Sequence, residues 1–253
     1  MGFGEIFRWG LMLQAIAIVH FIRRRPETFW LWIILFFGGF GALAYIVMEV
    51  VPDLNLLGLF MQAFARRRRI NVLEAVIREN PAVGNLEELA DLLLEEREFA
   101  RARALYDRVI TPRTDAPDPY YRRALALIEL KEYPAAVADL ERVIDIDPKY
   151  DFHRAIGLLA HACGLAGQSE RADMLFKRAL DVTTLSETEL NYAVFLAEQQ
   201  RPDEAREHAN RLLARRLTIP RYLQRRERPW FRKAKALLKR LPSRVDGLHG
   251  RAG

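Results

Sequence analysis

The side chains best suited to chemistry in this 253-residue chain are five histidines, one cysteine and several paired acids. His161 and Cys163 stand two positions apart and are the nearest approach to a ligand pair, but two ligands fall short of a zinc site. One cysteine excludes an intramolecular disulfide and a CxxC redox pair. Set in Leu158-Leu159-Ala160-His161-Ala162-Cys163, it reads as a packed core thiol. The carboxylate pairs Glu87-Glu88, Glu95-Glu96 and Asp145/Asp147, which could serve general acid–base work, fall on helical surfaces or turns and read as solvation. The sequence carries no Walker loop, GxGxxG, HExxH or GxSxG motif. No catalytic, cofactor-binding or metal-binding residue is assigned, and the chain is not expected to be an enzyme.

The elements around these residues divide sharply. Mean hydropathy is near zero, yet almost all strongly apolar sequence lies before residue 66, and the remainder has the Arg, Glu, Leu and Ala content and spacing of water-facing helices. Charge is uneven too. The net +6 arises from Arg215 to Arg240, which holds eleven Lys or Arg against Glu227 alone. Such a basic segment attracts anionic headgroups and nucleic acid alike.

Phe29 to Met48 reads FWLWIILFFGGFGALAYIVM, twenty residues without a charge. As one helix at about 1.5 Å per residue it covers the roughly 30 Å hydrocarbon core. Trp30, Trp32 and Tyr45 lie toward its ends, where amphipathic rings favour the interface. The preceding run Ile6 to Ile22 is weaker, because it contains Arg8, Gln14 and His20 and only just reaches across. A signal peptide is the rival reading of that run, but it ends in Arg23-Arg24-Arg25-Pro26 with no small-x-small cleavage site. A transmembrane helical hairpin is expected, its close contacts made at Gly38, Gly39 and Gly41.

A short apolar helix, a basic turn with Pro, then Trp-rich sequence leading to Gly41-Ala42-Leu43-Ala44-Tyr45 resembles the N-terminal membrane segment of bacterial cardiolipin synthases over about residues 6 to 50. That family works through His-x-Lys-(four residues)-Asp motifs. Here His20, His153, His161, His208 and His249 are followed two places on by Ile22, Ala155, Cys163, Asn210 and Arg251. The resemblance implies a membrane location and carries no catalytic residue. Beyond it, Leu54, Leu57, Phe60, Met61 and Phe64 share one helical face ahead of Arg66 to Arg69, as in an interfacial helix or a first packed helix.

Ala102, Ala136, Ala172 and Ala205 recur at spacings of 34, 36 and 33 residues. Twelve before each stands Ala90, Ala124, Ala160 or Ala193, and four after each stands Tyr106, Leu140, Phe176 or Ala209. This frame resembles the tetratricopeptide repeat over residues 83 to 217. It departs from that pattern at Arg123, where Leu is usual, and at Thr184, in place of a closing Pro. The expected architecture is all-α: a membrane anchor over 1–52, an amphipathic linker and degenerate leading helix over 53–82, four repeats over 83–217, a basic capping helix over 218–241 and a disordered tail over 242–253.

The resemblance implies a concave wall built from the first helix of each pair. Its candidate residues are Glu87, Asp91, Tyr121, Leu125, Gly157, His161, Leu190 and Val194. With Glu95 and Ile128, they predict a groove acidic at its N-terminal end and apolar in its middle, suited to a basic or amphipathic protein segment. Three function classes stay open: a membrane-anchored interaction scaffold, an accessory factor of phospholipid or envelope assembly, and a binder of nucleic acid or anionic lipid through the Arg-rich C-terminus. Trp230 and Phe231 fall where a capping helix needs core residues, which disfavours nucleic acid. The expected location is integral to the cell inner membrane; Arg8 with Arg66 to Arg69, against Arg23 to Arg25, tilts the repeats to the cytoplasm, with the periplasm as alternative.

Overall fold

A computed structural model describes residues 3–24, 28–50, 56–111 and 114–242. The described residues are all-α, with thirteen α-helices and one π-helical turn. They fall into two compact units, residues 1–72 and 73–253. The expected tail lies, from residue 243, outside the described residues.

The first unit opens with α1 (Phe3–Arg24), which covers the first apolar run. The twenty-residue apolar run is not one helix. It forms α2 (Phe29–Phe36) and α3 (Gly38–Tyr45), followed by the π-helical turn Ile46–Val50. Among the described residues no helix is long and apolar enough to cross a membrane. The expectation of a continuous transmembrane hairpin over this run is therefore corrected. The cause is local: Gly38 adopts φ +53°, a left-handed value that costs glycine little and breaks the α-helical ladder.

The sharp turn at Gly38 brings α3 so close to α2 that a Cβ on Gly41 would collide with the Ile33 carbonyl oxygen. α1 packs on α3 where Gly39 meets Gly10, with a Cβ on Gly39 falling 3.0 Å from the Gly10 Cα. Ala17, Ile34, Ala42 and Tyr45 are fully buried at its centre. Next comes α4 (Leu56–Glu79). The separate interfacial and leading helices expected here are one continuous helix, because Arg66 to Arg69 favour helix and nothing at that junction breaks it.

The second unit is a stack of helix pairs: α5 (Val83–Glu95) with α6 (Phe99–Val109), α7 (Asp118–Glu129) with α8 (Tyr133–Ile146), α9 (Tyr150–Leu165) with α10 (Ser169–Val182), and α11 (Ser186–Glu198) with α12 (Pro202–Arg215). The helix α13 (Arg221–Arg240) closes it. Each second helix packs on its own partner and on the first helix of the next pair. The frame alanines of all four pairs are fully buried, as are Tyr106, Leu140, Phe176 and Ala209, because small residues let helix axes approach while the bulky ones fill the layer between.

Every pair is joined by the same turn. Arg97, Lys131, Gly167 and Gln200 take φ values of +65°, +63°, +79° and +57°. The next N–H in each case reaches back to the carbonyl of Leu93, Leu127, Cys163 or Leu196, at 2.8 to 2.9 Å. That bond caps the first helix and sets the hairpin angle. Only one of the four positions holds the glycine that such a conformation favours.

Candidate functional site

The first-helix faces of the second unit carry a continuous polar array. In α5 and α7, Glu87, Asp91 and Asp118 stand together around Arg122, whose Nε lies 2.7 Å from Asp118 and 3.4 Å from Asp91. Burial, then the carboxylates of Asp118 and Asp91, push the Glu87 carboxyl above its ordinary range, against the pull of Arg122. Tyr106 donates its hydroxyl to Asp91, and Tyr150 donates to Asp118. The two outer acids are thus held from behind by phenols while Glu87 is not.

Further along, Arg154 pairs with Asp151 at 3.0 Å and with Glu187 at 3.8 Å. Burial raises the Glu187 carboxyl, opposed by Arg154 and by Lys233 of α13. Tyr121 lies between the two charged groups, in tilted ring contact with Tyr150 at 5.0 Å between centroids, with its hydroxyl pushed up to about 12 by burial. Asp151, Phe152 and His153 all have left-handed φ, and this strained entry to α9 sets Tyr150 against Tyr121 and Asp118.

Glu87 and Asp91 lie on α5, the first helix of the first pair. The apolar middle does not form as expected: Tyr121 is buried, and Leu125 and Ile128 pack against the main core cluster. His161 is half-buried, and burial holds its imidazole below the usual pKa. Gly157 meets Thr188, whose Oγ1 would lie 2.5 Å from an added Cβ, so it serves the α9–α11 crossing. Leu190 is core, and Val194 packs with it under Trp230, Phe231 and Ala234 of α13. The terminal helix thus covers the wall at the fourth pair.

Sequence reasoning missed Asp118, Arg122, Tyr150, Arg154 and Glu187. Asp118, Arg154 and Glu187 each stand three residues before a candidate that was named (Tyr121, Gly157, Leu190), so they share its helical face. That spacing was a usable signal. Cys163 is fully buried and its thiol is raised by burial, which suits packing and not nucleophilic chemistry. Among the described residues, no three His, Cys, Asp or Glu gather as a metal site.

Residues 117–150 match the family model described as a tetratricopeptide repeat. No curated protein matches the chain significantly. Among solved structures, the chain is similar to YrrB, described as a TPR protein with an unusual peptide-binding site, at 13% identity over 66% of this chain and 86% of that one, TM-score 0.52. It is similar to residues 41 to the end of MamA from Desulfovibrio magneticus RS-1, at 20% identity over 63% and 90%, TM-score 0.54. TTC0263 of Thermus thermophilus, a thermophilic TPR protein, matches at 21% identity over 74% and 99%, TM-score 0.51. At these identities the likeness is one of fold. The family match falls on the second unit and does not reach residues 6 to 50, where no match supports the expected resemblance to cardiolipin synthases.

Proposed function

We propose that this tetratricopeptide-repeat protein is a non-enzymatic scaffold that binds a basic or amphipathic segment of a partner protein along its first-helix wall. The observation that carries this reading is the cluster of Glu87, Asp91 and Asp118 with Arg122 as its near counter-ion. Like charges held together at partial burial oppose folding, and a cationic partner relieves them. YrrB is a fold relative described by its peptide-binding site, which supports the reading by analogy of fold.

We propose further that the first unit anchors the chain in the cell inner membrane. Its polarity runs opposite to that of a water-exposed unit. Trp9, Met12, Trp32, Phe36, Phe37 and Phe40 are exposed, whereas Gln14 and the His20–Tyr45 pair turn inward. Gln14 Nε2 donates at 3.1 Å to the Ile34 carbonyl, which an unbroken helix would bond to the N–H of Gly38. A broken helix is tolerated in lipid where its freed backbone groups are satisfied in this way. A cytoplasmic placement of the repeats belongs to the same proposal, as does a part in phospholipid or envelope assembly if the partner proves to be such an enzyme.

Titrating a fluorescein-labelled fifteen-residue Lys/Leu amphipathic peptide against the full chain in neutral detergent tests the wall. Glu87→Lys should weaken binding roughly tenfold, about 1.4 kcal/mol. Unchanged affinity would sink the assignment. Release of the chain from membranes by alkaline carbonate would remove the anchoring.

A further inference from the structure

The helix α13 carries two faces of opposite character. Trp230, Phe231 and Ala234 pack inward on Leu190, Val194 and Leu212. Phe231 is buried and Trp230 half-buried, so neither offers a free face for stacking on nucleic-acid bases. On the other side, Arg225, Arg228, Arg232 and Lys235 follow one another at helical spacing. Together with Arg216 from the end of α12, they surround an open concavity of about 720 Å³, at whose edge the buried ring of Phe231 also lies. Among the described residues none of these five cations has an acidic partner. Glu227, the one acid in the helix, accepts a hydrogen bond from Ser186.

Five cations round one hollow, with no acidic partner among the described residues, repel each other, while the apolar packing of α13 is made by Trp230, Phe231 and Ala234. Their placement therefore calls for an external anion. Two exposed apolar side chains refine its nature: Tyr222 belongs to the same hollow, and Leu217, 88% exposed, follows Arg216 directly. An aliphatic and an aromatic side chain beside clustered arginines suit the boundary between phosphate headgroups and acyl chains. Phosphate without an apolar neighbour would leave Leu217 unexplained.

We propose that the hollow formed by Arg216 and the Arg225, Arg228, Arg232, Lys235 face of α13 is a binding site for the phosphate headgroups of anionic phospholipid. Leu217 and Tyr222 enter the interfacial layer beside them. The site is separate from the first-helix wall and does not rest on the anchoring proposed for the first unit.

The test uses the full chain in nanodiscs of phosphatidylcholine alone, or with one quarter phosphatidylglycerol. Arginine modification by p-hydroxyphenylglyoxal is read site by site by mass spectrometry. Arg216, Arg225, Arg228 and Arg232 should react at least tenfold more slowly in the phosphatidylglycerol discs, while Arg108 and Arg142, exposed on α6 and α8, react equally in both. Equal reactivity at all six would overturn the proposal. Equivalent protection in phosphatidylcholine discs by 10 mM inorganic phosphate would reassign the site to free phosphate, and protection by a twenty-base oligonucleotide to nucleic acid; either overturns the lipid assignment. Retention of the chain in discs of phosphatidylcholine alone reports on the first unit, so the two proposals fail separately. Arg225→Gln/Arg228→Gln/Arg232→Gln should weaken binding of dihexanoyl phosphatidylglycerol to the detergent-solubilised chain roughly 100-fold. An unchanged affinity in that variant would also overturn the proposal.

Discussion

The guanidinium of Arg123 grips the buried carboxylate of Asp139 with two nitrogens, Nε at 2.8 Å and Nη2 at 2.6 Å, and turns its remaining arm to Asp107 at 2.8 Å. The repeat pattern has leucine at this arginine, and Asp139 is only 5% exposed. The departure from pattern is thus a paired substitution in which an ion pair takes the place of an apolar contact. Arg123→Leu alone strands a buried charge and should destabilise the fold by about 3 kcal/mol. Arg123→Leu with Asp139→Ala should recover most of that loss in urea melts. A double variant as unstable as the single one would show that the pair does not act as a unit.

The shared turn gives a second prediction. Lys131 and Gln200 hold left-handed backbone that costs an L-residue about 1 kcal/mol. Lys131→Gly and Gln200→Gly should each stabilise by roughly 0.5 to 1 kcal/mol, after the entropy glycine gains in the unfolded chain is deducted. Gly167→Ala should destabilise by a similar amount, since nothing crowds an added Cβ there and backbone strain is the main cost. Thermal melts of the three variants decide it, and a common sign would contradict the turn geometry.

Two carboxylates should respond to pH in opposite directions. Burial acts to raise Asp173, but hydrogen bonds from Lys177, Arg201 and Tyr192 outweigh it and hold the group below its ordinary pKa. A lowered folded-state pKa contributes stability above the unfolded value that is lost as pH falls through the folded one. Asp173→Asn should therefore lower the melting temperature at pH 7, and the deficit should shrink below pH 4. Glu187 is raised, first by burial, so its contribution is fully present below the unfolded pKa and is lost as pH rises through the folded value. Glu187→Gln should raise the melting temperature at pH 7, with the gain closing as the pH drops below 4.5. Parallel melts from pH 3 to 8 read both slopes.

In the first unit, Gly38→Ala should cost about 1 kcal/mol from its left-handed φ alone, since no atom lies within 4 Å of the added Cβ. Gly39→Leu should do far more, because its Cβ meets the Gly10 backbone at 3.0 Å and the α1–α3 contact must open. Protease sensitivity of the detergent-solubilised chain within residues 1–50 should rise sharply for Gly39→Leu and little for Gly38→Ala.

Much of the second unit was legible from its period. The frame alanines and their bulky partners recur at spacings that only stacked helix pairs satisfy, and all of them are buried. The candidate wall was legible in part: Glu87 and Asp91 were named, whereas Arg122, Arg154 and Glu187 were passed over although helical spacing puts them on the same face.

Periodicity is a local property, so residue order alone determined the helix pairs, their inner faces, the cap and the chain's division into an apolar and a charged region. Three outcomes were decided by tertiary structure. Tyr121 went to the core and Val194 under α13, because exposure depends on which neighbour covers a face. Arg123 found Asp139 sixteen residues away, because only stacking brings those positions together. The twenty-residue apolar run broke at Gly38, with the Ile34 carbonyl taken by Gln14, because an apolar count measures length and composition but not whether a second helix can satisfy the backbone at a bend.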